Sequence, residues 1–139
     1  MIHEDMSFTE PKIIEISKLG GGEKGYLSVI EAKDVAFPFD IKRVYWTYAA
    51  IDGSEKGNQA NKNTKQVLIA LKGKAEVVLE SSYGELMTYH IDTPEKALYI
   101  PPMYWRKVIP SDDAILLNIS SEKYSQEDVI SDYNTFKNI

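Results

Sequence analysis

Turn residues cut this chain into runs too short to be anything but strands. Apolar, β-branched and aromatic residues gather at 12–16, 26–31, 41–48, 65–71, 74–80, 86–91, 97–100, 105–109 and 114–120. Gly20-Gly21-Gly22 and Lys72-Gly73 mark two of the breaks between them. Short runs at even spacing, bounded by turn signals, predict about nine strands folded into an all-β sandwich or barrel. Lys72-Gly73 reads as a hairpin. The run 86–91 alternates Leu86, Thr88 and His90 against Met87, Tyr89 and Ile91, with apolar residues on both faces. It is therefore expected to be covered on each side. One helix signal stands at the C-terminus. Ser125 and Asp128 have capping-box spacing, and Val129, Ile130, Tyr133 and Phe136 recur at helical intervals, which predicts a helix docked on the outside of the barrel.

With 139 residues, 43% of them hydrophobic, the chain suits one domain, 1–139, around its own core. The net charge of −5 is spread over interspersed acidic and basic residues, which argues against general nucleic-acid binding. There is no cysteine, so disulfides, zinc–thiolate sites and thiol nucleophiles are excluded. Residues 1–10 are polar and acidic and lack the apolar core of a signal peptide. No run reaches the roughly 20 apolar residues of a membrane helix. A cytoplasmic protein with no membrane contact is the expectation.

The least strand-like stretch carries the chemistry: Lys56-Gly57-Asn58-Gln59-Ala60-Asn61-Lys62. Gly53, Gln59, Asn61, Gln66 and Gly73 stand at the spacing of the first motif of a cupin barrel. That resemblance implies His, His and Glu in the three middle slots of a metal-binding member. Here the slots hold three amides. The second motif ends on a histidine, and Pro101-Pro102-Met103-Tyr104-Trp105-Arg106 resembles it with Arg106 in that place. The two histidines of the chain, His3 and His90, lie outside the spacing. Amides bind divalent transition metals poorly, and arginine is a permanent cation. No metal and no cofactor are expected; a cation facing a cavity suits a phosphate or carboxylate.

In the run 41–48, alternation puts Arg43, Tyr45 and Thr47 on one face and Lys42, Val44, Trp46 and Tyr48 on the other. The first face is either the polar wall of a cavity or an outer surface with Arg43 solvated and Tyr45 at a rim. Lys56, Lys62, Lys65, Lys72 and Lys74 form a loose basic cluster, mostly a solvated surface. Lys62 is the exception, because it directly follows the motif. Gly57 suits a tight turn or a close ligand approach.

Phe37-Pro38-Phe39-Asp40-Ile41-Lys42-Arg43-Val44-Tyr45, the motif followed by Gln66-Val67-Leu68, and a C-terminal region with Tyr124, Asp128, Tyr133, Asn134 and Phe136 together resemble the cupin-type dTDP-4-oxo-6-deoxyglucose 3,4-ketoisomerases. The likeness runs from about residue 11 to 136. It implies a small β-barrel, a homodimer exchanging an N-terminal strand, and a thymidine-diphosphate-linked 4-keto sugar as substrate. The sugar belongs to the making of dideoxy-amino sugars for surface polysaccharides. It implies no metal, and proton transfers through an enediol that move the keto group from C4 to C3. Arg43, Lys62, Gln66, Tyr104 and Arg106 would bind the substrate, and Tyr45, Gln59 and Asn61 occupy the catalytic positions. The family pattern at 56–62 is Arg-Gly-x-His-Ala-His-Lys, whose histidines are the acid/base pair. Gln59 and Asn61 stand in their places. A carboxamide moves no proton near neutral pH, and losing a positioned base costs about 10²–10⁴ in rate. It keeps the capacity to hydrogen-bond a hydroxyl or carbonyl. Two readings follow: an isomerase with a relocated base, drawn from Tyr45, Tyr124, Lys62 or Glu31, or a catalytically silent sugar-nucleotide binder acting as partner or regulator.

Overall fold

The computed structural model describes residues 8–32, 37–50 and 56–139. Two five-stranded antiparallel sheets face each other. The first joins β1 (Lys12–Glu15), β9 (Lys96–Ile100), β6 (Gln66–Lys72), β11 (Ile115–Ser120) and β4 (Arg43–Thr47), in that order. The second joins β12 (Val129–Ile130), β5 (Lys56–Asn61), β10 (Tyr104–Pro110), β7 (Ala75–Ser81) and β8 (Leu86–Ile91). A two-residue pairing, β2 (Leu19–Gly20) with β3 (Tyr26–Leu27), stands apart. It is all that forms of the run expected at 26–31.

Between the sheets lies the main core, with Leu68, Val77, Leu79, Ile91, Leu98, Ile100, Val108 and Leu116 all buried. A second apolar layer covers the outer face of the first sheet. There Val67, Ile69, Ala97, Tyr99 and Ile119 pack beneath Phe8, Ile14, Phe37, Phe39 and Ile41. Burial on both faces explains why β6 reads as a near-continuous apolar run rather than an alternation. Tyr99 sits edge-on to Phe8, with centroids 5.5 Å apart, and burial pushes its hydroxyl up to about 12.

Between β6 and β7, Gly73 takes φ +69°, and an added Cβ would come within 2.6 Å of both Ser111 Oγ and Asp113 Oδ1. β6 and β7 belong to different sheets and do not pair, so the expected hairpin is instead a tight turn from one sheet to the other, and that turn needs glycine both for its backbone and for its space.

Three further expectations change. β8 is covered on one side only: Met87, Tyr89 and Ile91 pack inward while Leu86, Thr88 and His90 are exposed. β5 is a strand despite its poor strand composition, because β10 and β12 pair with it on either side. The C-terminal helix starts later than its capping box. Residues Gln126–Asp128 form a single 3₁₀ turn with no side-chain cap from Ser125, and Val129–Ile130 pair with Asn61 and Ala60. The helix, α1 (Tyr133–Lys137), is capped by Asp132, whose carboxylate accepts from the Asn134 N–H at 3.1 Å. Asp128 is unavailable as a cap because its carboxylate is spent in the interior.

Helix α1 does dock on the outside of the barrel. Phe136, fully buried, packs with Ala60, Ile130, Met103 and Trp105. Lys137 Nζ and the Tyr133 hydroxyl both donate to Glu80, at 2.7 and 2.9 Å. Phe136 thus backs the strand that carries Gln59 and Asn61. Phe136→Ala is expected to lower stability by about 3–5 kcal/mol, read from the urea midpoint. A loss under about 1 kcal/mol contradicts this role.

Candidate functional site

Alternation along five strands aims a set of polar side chains into the open end of the barrel. On β4, Arg43, Tyr45 and Thr47 are half-buried and face inward, while Val44 and Trp46 are 47% and 58% exposed on the outer face. The cavity-wall arrangement is the one present. On β5, Gln59 and Asn61 face inward and Ala60 between them packs outward. Gln59 lies directly across from Arg106 of β10. The pairing then slips, so that Val108 meets Lys56, which places a bulge at Gly57-Asn58 beside the site. Gln66 of β6 and Asn118 and Ser120 of β11 complete the polar layer.

Two connected chambers result. The inner one, about 220 Å³, has polar groups from Tyr45, Thr47, Gln59, Arg106 and Asn118 and an aliphatic wall of Leu68, Ile100, Val108 and Leu116. The mouth, about 130 Å³, shares Tyr45 and Gln59 with it and adds Arg43, Asn61, Lys123 and Tyr124. Beyond the mouth lies an open cleft of about 720 Å³ edged by Lys42, Lys62 and Lys123 and by the carboxylates Glu122 and Glu127, with Lys42 Nζ 3.9 Å from Glu122 Oε1. The Arg43 guanidinium lies 4.3 Å from the Tyr45 ring centroid and 5.3 Å from that of Tyr124. Such cation–π packing holds the cation at the mouth.

One buried hydrogen-bond network ties the layer together. Arg106 Nη1 donates to Asn61 Oδ1 at 2.7 Å, and Gln66 Nε2 donates to the same oxygen at 3.1 Å. Asn61 Nδ2 donates to Asp128 Oδ2 at 2.8 Å. Upstream, the Ser120 hydroxyl donates to Asn118 Oδ1, and Asn118 Nδ2 donates to Gln66 Oε1. Every bond from Ser120 to Asp128 therefore points the same way, so each polarises the next. The Asp128 carboxylate also accepts from the Thr64 hydroxyl and, at 2.6 Å, from the Asn63 N–H.

Burial opposes ionisation of Asp128. The hydrogen bonds from Thr64, Asn61 and the backbone N–H groups of Asn63 and Thr64 outweigh it and hold the carboxyl below the ordinary aspartate value. Burial lowers the Arg106 pKa, against the pull of the adjacent Tyr45 hydroxyl and of Asp128. Asn61 is thus an amide bridge between a buried cation and a buried anion. The Gln59 side chain, half-buried, makes no hydrogen bond with the described residues.

The structure brings Arg43, Tyr45, Gln59, Asn61, Gln66 and Arg106 together. Lys62 is exposed at the outer cleft. Tyr104 is elsewhere: it packs with Met87 and Tyr89 against the core and lines neither chamber. Glu31 is exposed and also lines neither. Gly53 and His3 lie outside the described residues. Sequence reasoning did not find Thr64, Asn118 or Ser120, and it gave Asp128 the wrong task. Asn118 had a signal: it is the lone amide inside the apolar strand Ile-Leu-Leu-Asn-Ile-Ser. Among the described residues no three His, Cys, Asp or Glu side chains converge. At the site, Arg106 already occupies the Asn61 oxygen, so the donor set does not suit a metal cation.

A polar mouth over a barrel interior, on two facing antiparallel sheets, is the architecture of small-molecule barrels of the cupin type. The chain matches the FdtA family (WxcM-like, C-terminal) over residues 9–139. It is 30% identical over 129 residues to a TDP-4-oxo-6-deoxy-alpha-D-glucose-3,4-oxoisomerase of Aneurinibacillus thermoaerophilus, covering 92% of this chain and 91% of that one. The solved sugar 3,4-ketoisomerase QdtA of Thermoanaerobacterium thermosaccharolyticum, in complex with TDP, superposes with a TM-score of 0.87 at 30% identity, covering 94% and 93% of the two chains. A mutant of QdtA with a histidine replaced by asparagine, with the same scores, is in complex with TDP-4-keto-6-deoxyglucose. The TDP-fucose-3,4-ketoisomerase WlaRA of Campylobacter jejuni gives 0.82 at 30% identity over 91% and 93%. The chain belongs to this family of TDP-sugar 3,4-ketoisomerases, and its fold is the expected cupin-like all-β barrel with a short C-terminal helix.

The depressed Asp128 pKa fixes a pH dependence. Its contribution to stability is complete above the unfolded value near 3.9 and is lost as pH falls through the lower folded value. Asp128→Asn is expected to cost about 1–3 kcal/mol at pH 6, with the gap to wild type closing below pH 4 in urea unfolding. A gap that persists unchanged to pH 2 rules out the charged network.

Proposed function

We propose that this protein binds a thymidine-diphosphate-linked 4-keto-6-deoxy sugar in the mouth and inner chamber, and does not carry out the histidine-driven keto transfer. One observation carries the reading: the amide at position 61 is engaged at both ends, its oxygen by Arg106 and Gln66 and its nitrogen by Asp128. Neither it nor Gln59 can take the C3 proton or deliver one to C4. Binding needs no such group. Arg43, Lys62 and Lys123 offer cations to a diphosphate, and Tyr124, 64% exposed, offers an aromatic face. The QdtA mutant supports the reading, because an amide in a histidine's place there is compatible with a held keto sugar. Catalytic silence makes the protein a partner or regulator in deoxysugar synthesis. With this reading goes a cytoplasmic location; among the described residues no helix is long and apolar enough to cross a membrane.

A second reading, an active isomerase using Tyr45, is favoured by one contact: the Tyr45 hydroxyl lies beside Arg106 and its ring beneath Arg43. Deuterium separates the two. Incubation with TDP-4-keto-6-deoxyglucose in D₂O is expected to leave C3 and C4 at the buffer level, while calorimetry registers TDP binding. Trp46 and Trp105 both sit outside the chambers, so calorimetry is the better probe. The Gln59→His, Asn61→His double variant is expected to incorporate deuterium, since an imidazole at 61 can accept from Arg106 and donate to Asp128 as the amide does. Wild-type incorporation that Tyr45→Phe abolishes favours the second reading. No TDP binding at millimolar ligand overturns both.

The reading includes a homodimer. On the outer face of β4, an edge strand, Val44, Trp46 and Tyr48 are exposed in the single chain, a strip suited to a second copy. β1 pairs here with β9 of its own chain, so an exchanged N-terminal strand would replace that pairing. Light scattering is expected to give a dimer mass and Trp46→Glu a monomer mass. A wild-type monomer at tens of micromolar contradicts the dimer.

A further inference from the structure

The inner chamber is two-sided. Leu68, Ile100, Val108 and Leu116, each from a different strand and each at most 6% exposed, make one continuous aliphatic wall. Polar groups stand on the β4 and β5 side: Tyr45, Thr47 and Gln59. Asn118, although it touches the chamber, has its oxygen and nitrogen engaged by Ser120 and Gln66. At about 220 Å³ the chamber is smaller than the roughly 300–1,000 Å³ that takes a whole drug-sized ligand. It therefore admits one end of a nucleotide sugar. The cations at the mouth and outer cleft keep the diphosphate outside, so the end admitted is the hexose.

Arg106 and Val108 are successive inward-facing residues of β10. They bring a hydrogen-bonding cation and an aliphatic surface side by side on one face of the strand. A 4-keto-6-deoxy hexose carries the matching pair on neighbouring ring carbons: a carbonyl oxygen at C4 and a methyl on C5.

Resting on the binding function proposed above, we infer that this aliphatic wall is a specificity pocket for the sugar's C6 methyl. It excludes sugars with a 6-hydroxyl, while Arg106 and Gln59 take the neighbouring oxygen at C4. A 6-hydroxyl turned to that wall would lose its water and meet no partner. A pocket of this kind discriminates by about 10–100-fold.

The test uses calorimetry of the full chain with three stable ligands: TDP, TDP-6-deoxyglucose and TDP-glucose. TDP-6-deoxyglucose is expected to bind about 10–100-fold more tightly than TDP-glucose. Val108→Thr, which puts a hydroxyl into the wall at nearly constant volume, is expected to narrow that ratio while leaving TDP affinity unchanged. Equal affinities for the two sugars, with TDP still bound, overturn the methyl pocket and leave the nucleotide-sugar reading standing. A Val108→Thr protein that binds TDP normally and keeps the full preference also overturns it. Failure to bind any of the three overturns the underlying reading and the pocket with it.

Discussion

A guanidinium and a carboxylate buried in the same barrel mouth are joined by one side-chain amide, and the site is arranged around that bridge. Arg106 and Asp128 do not touch; Asn61 stands between them, its oxygen toward the cation and its nitrogen toward the anion. Removing two charges from water is costly, and a direct pair often fails to repay it. The amide lets each charge keep a charge-assisted hydrogen bond while the attraction acts through a polarised chain. The bridge also joins distant parts of the sequence. β5, β10 and the turn before β12 meet there, and Thr64 and Asn63 anchor the far end.

On the proposed reading, that arrangement lets the site keep its shape without proton transfer. The resemblance puts histidines at 59 and 61. An asparagine at 61 reproduces the hydrogen-bond polarity of an imidazole between an arginine and an aspartate, so the neighbours need not move. Gln59 has no such duty and remains free toward the chamber. The cavity and its buried cation stand beside two amides, and neither position carries a titrating group. Binding survives such a change far better than catalysis, which depends on groups that change protonation state.

Much of the fold was legible because alternation and turn chemistry act locally. The turn at Lys72-Gly73 and the inward face of Arg43, Tyr45 and Thr47 needed only neighbouring residues to be read or posed, whereas the strands on either side of that turn join different sheets rather than a hairpin. The misreadings share one cause: a partner remote in sequence. β5 looks like a loop by composition and becomes a strand only because β10 and β12 flank it. Ser125 and Asp128 have the spacing of a helix cap, but Thr64, Asn61 and Asn63 compete for the carboxylate and win with stronger, buried bonds. The site was half legible. Gln59, Asn61 and Arg106 followed from motif spacing, whereas Asn118 and Ser120 owe their place to strand register and Thr64 to the connection between β5 and β6. Tyr104 shares the inward face of β10 with Arg106 but sits one pleat further along, where Met87 and Tyr89 claim it.

On the proposed reading, Asn61 belongs to the scaffold and Gln59 to the ligand. The most direct measurement is a crystal structure in complex with TDP-4-keto-6-deoxyglucose. The account predicts Asn61 still bridging Arg106 and Asp128, with the C4 oxygen held by Gln59 and the remaining Arg106 donors. An Asn61 amide turned away from Asp128 to grip the sugar, or a sugar bound outside the inner chamber, contradicts it.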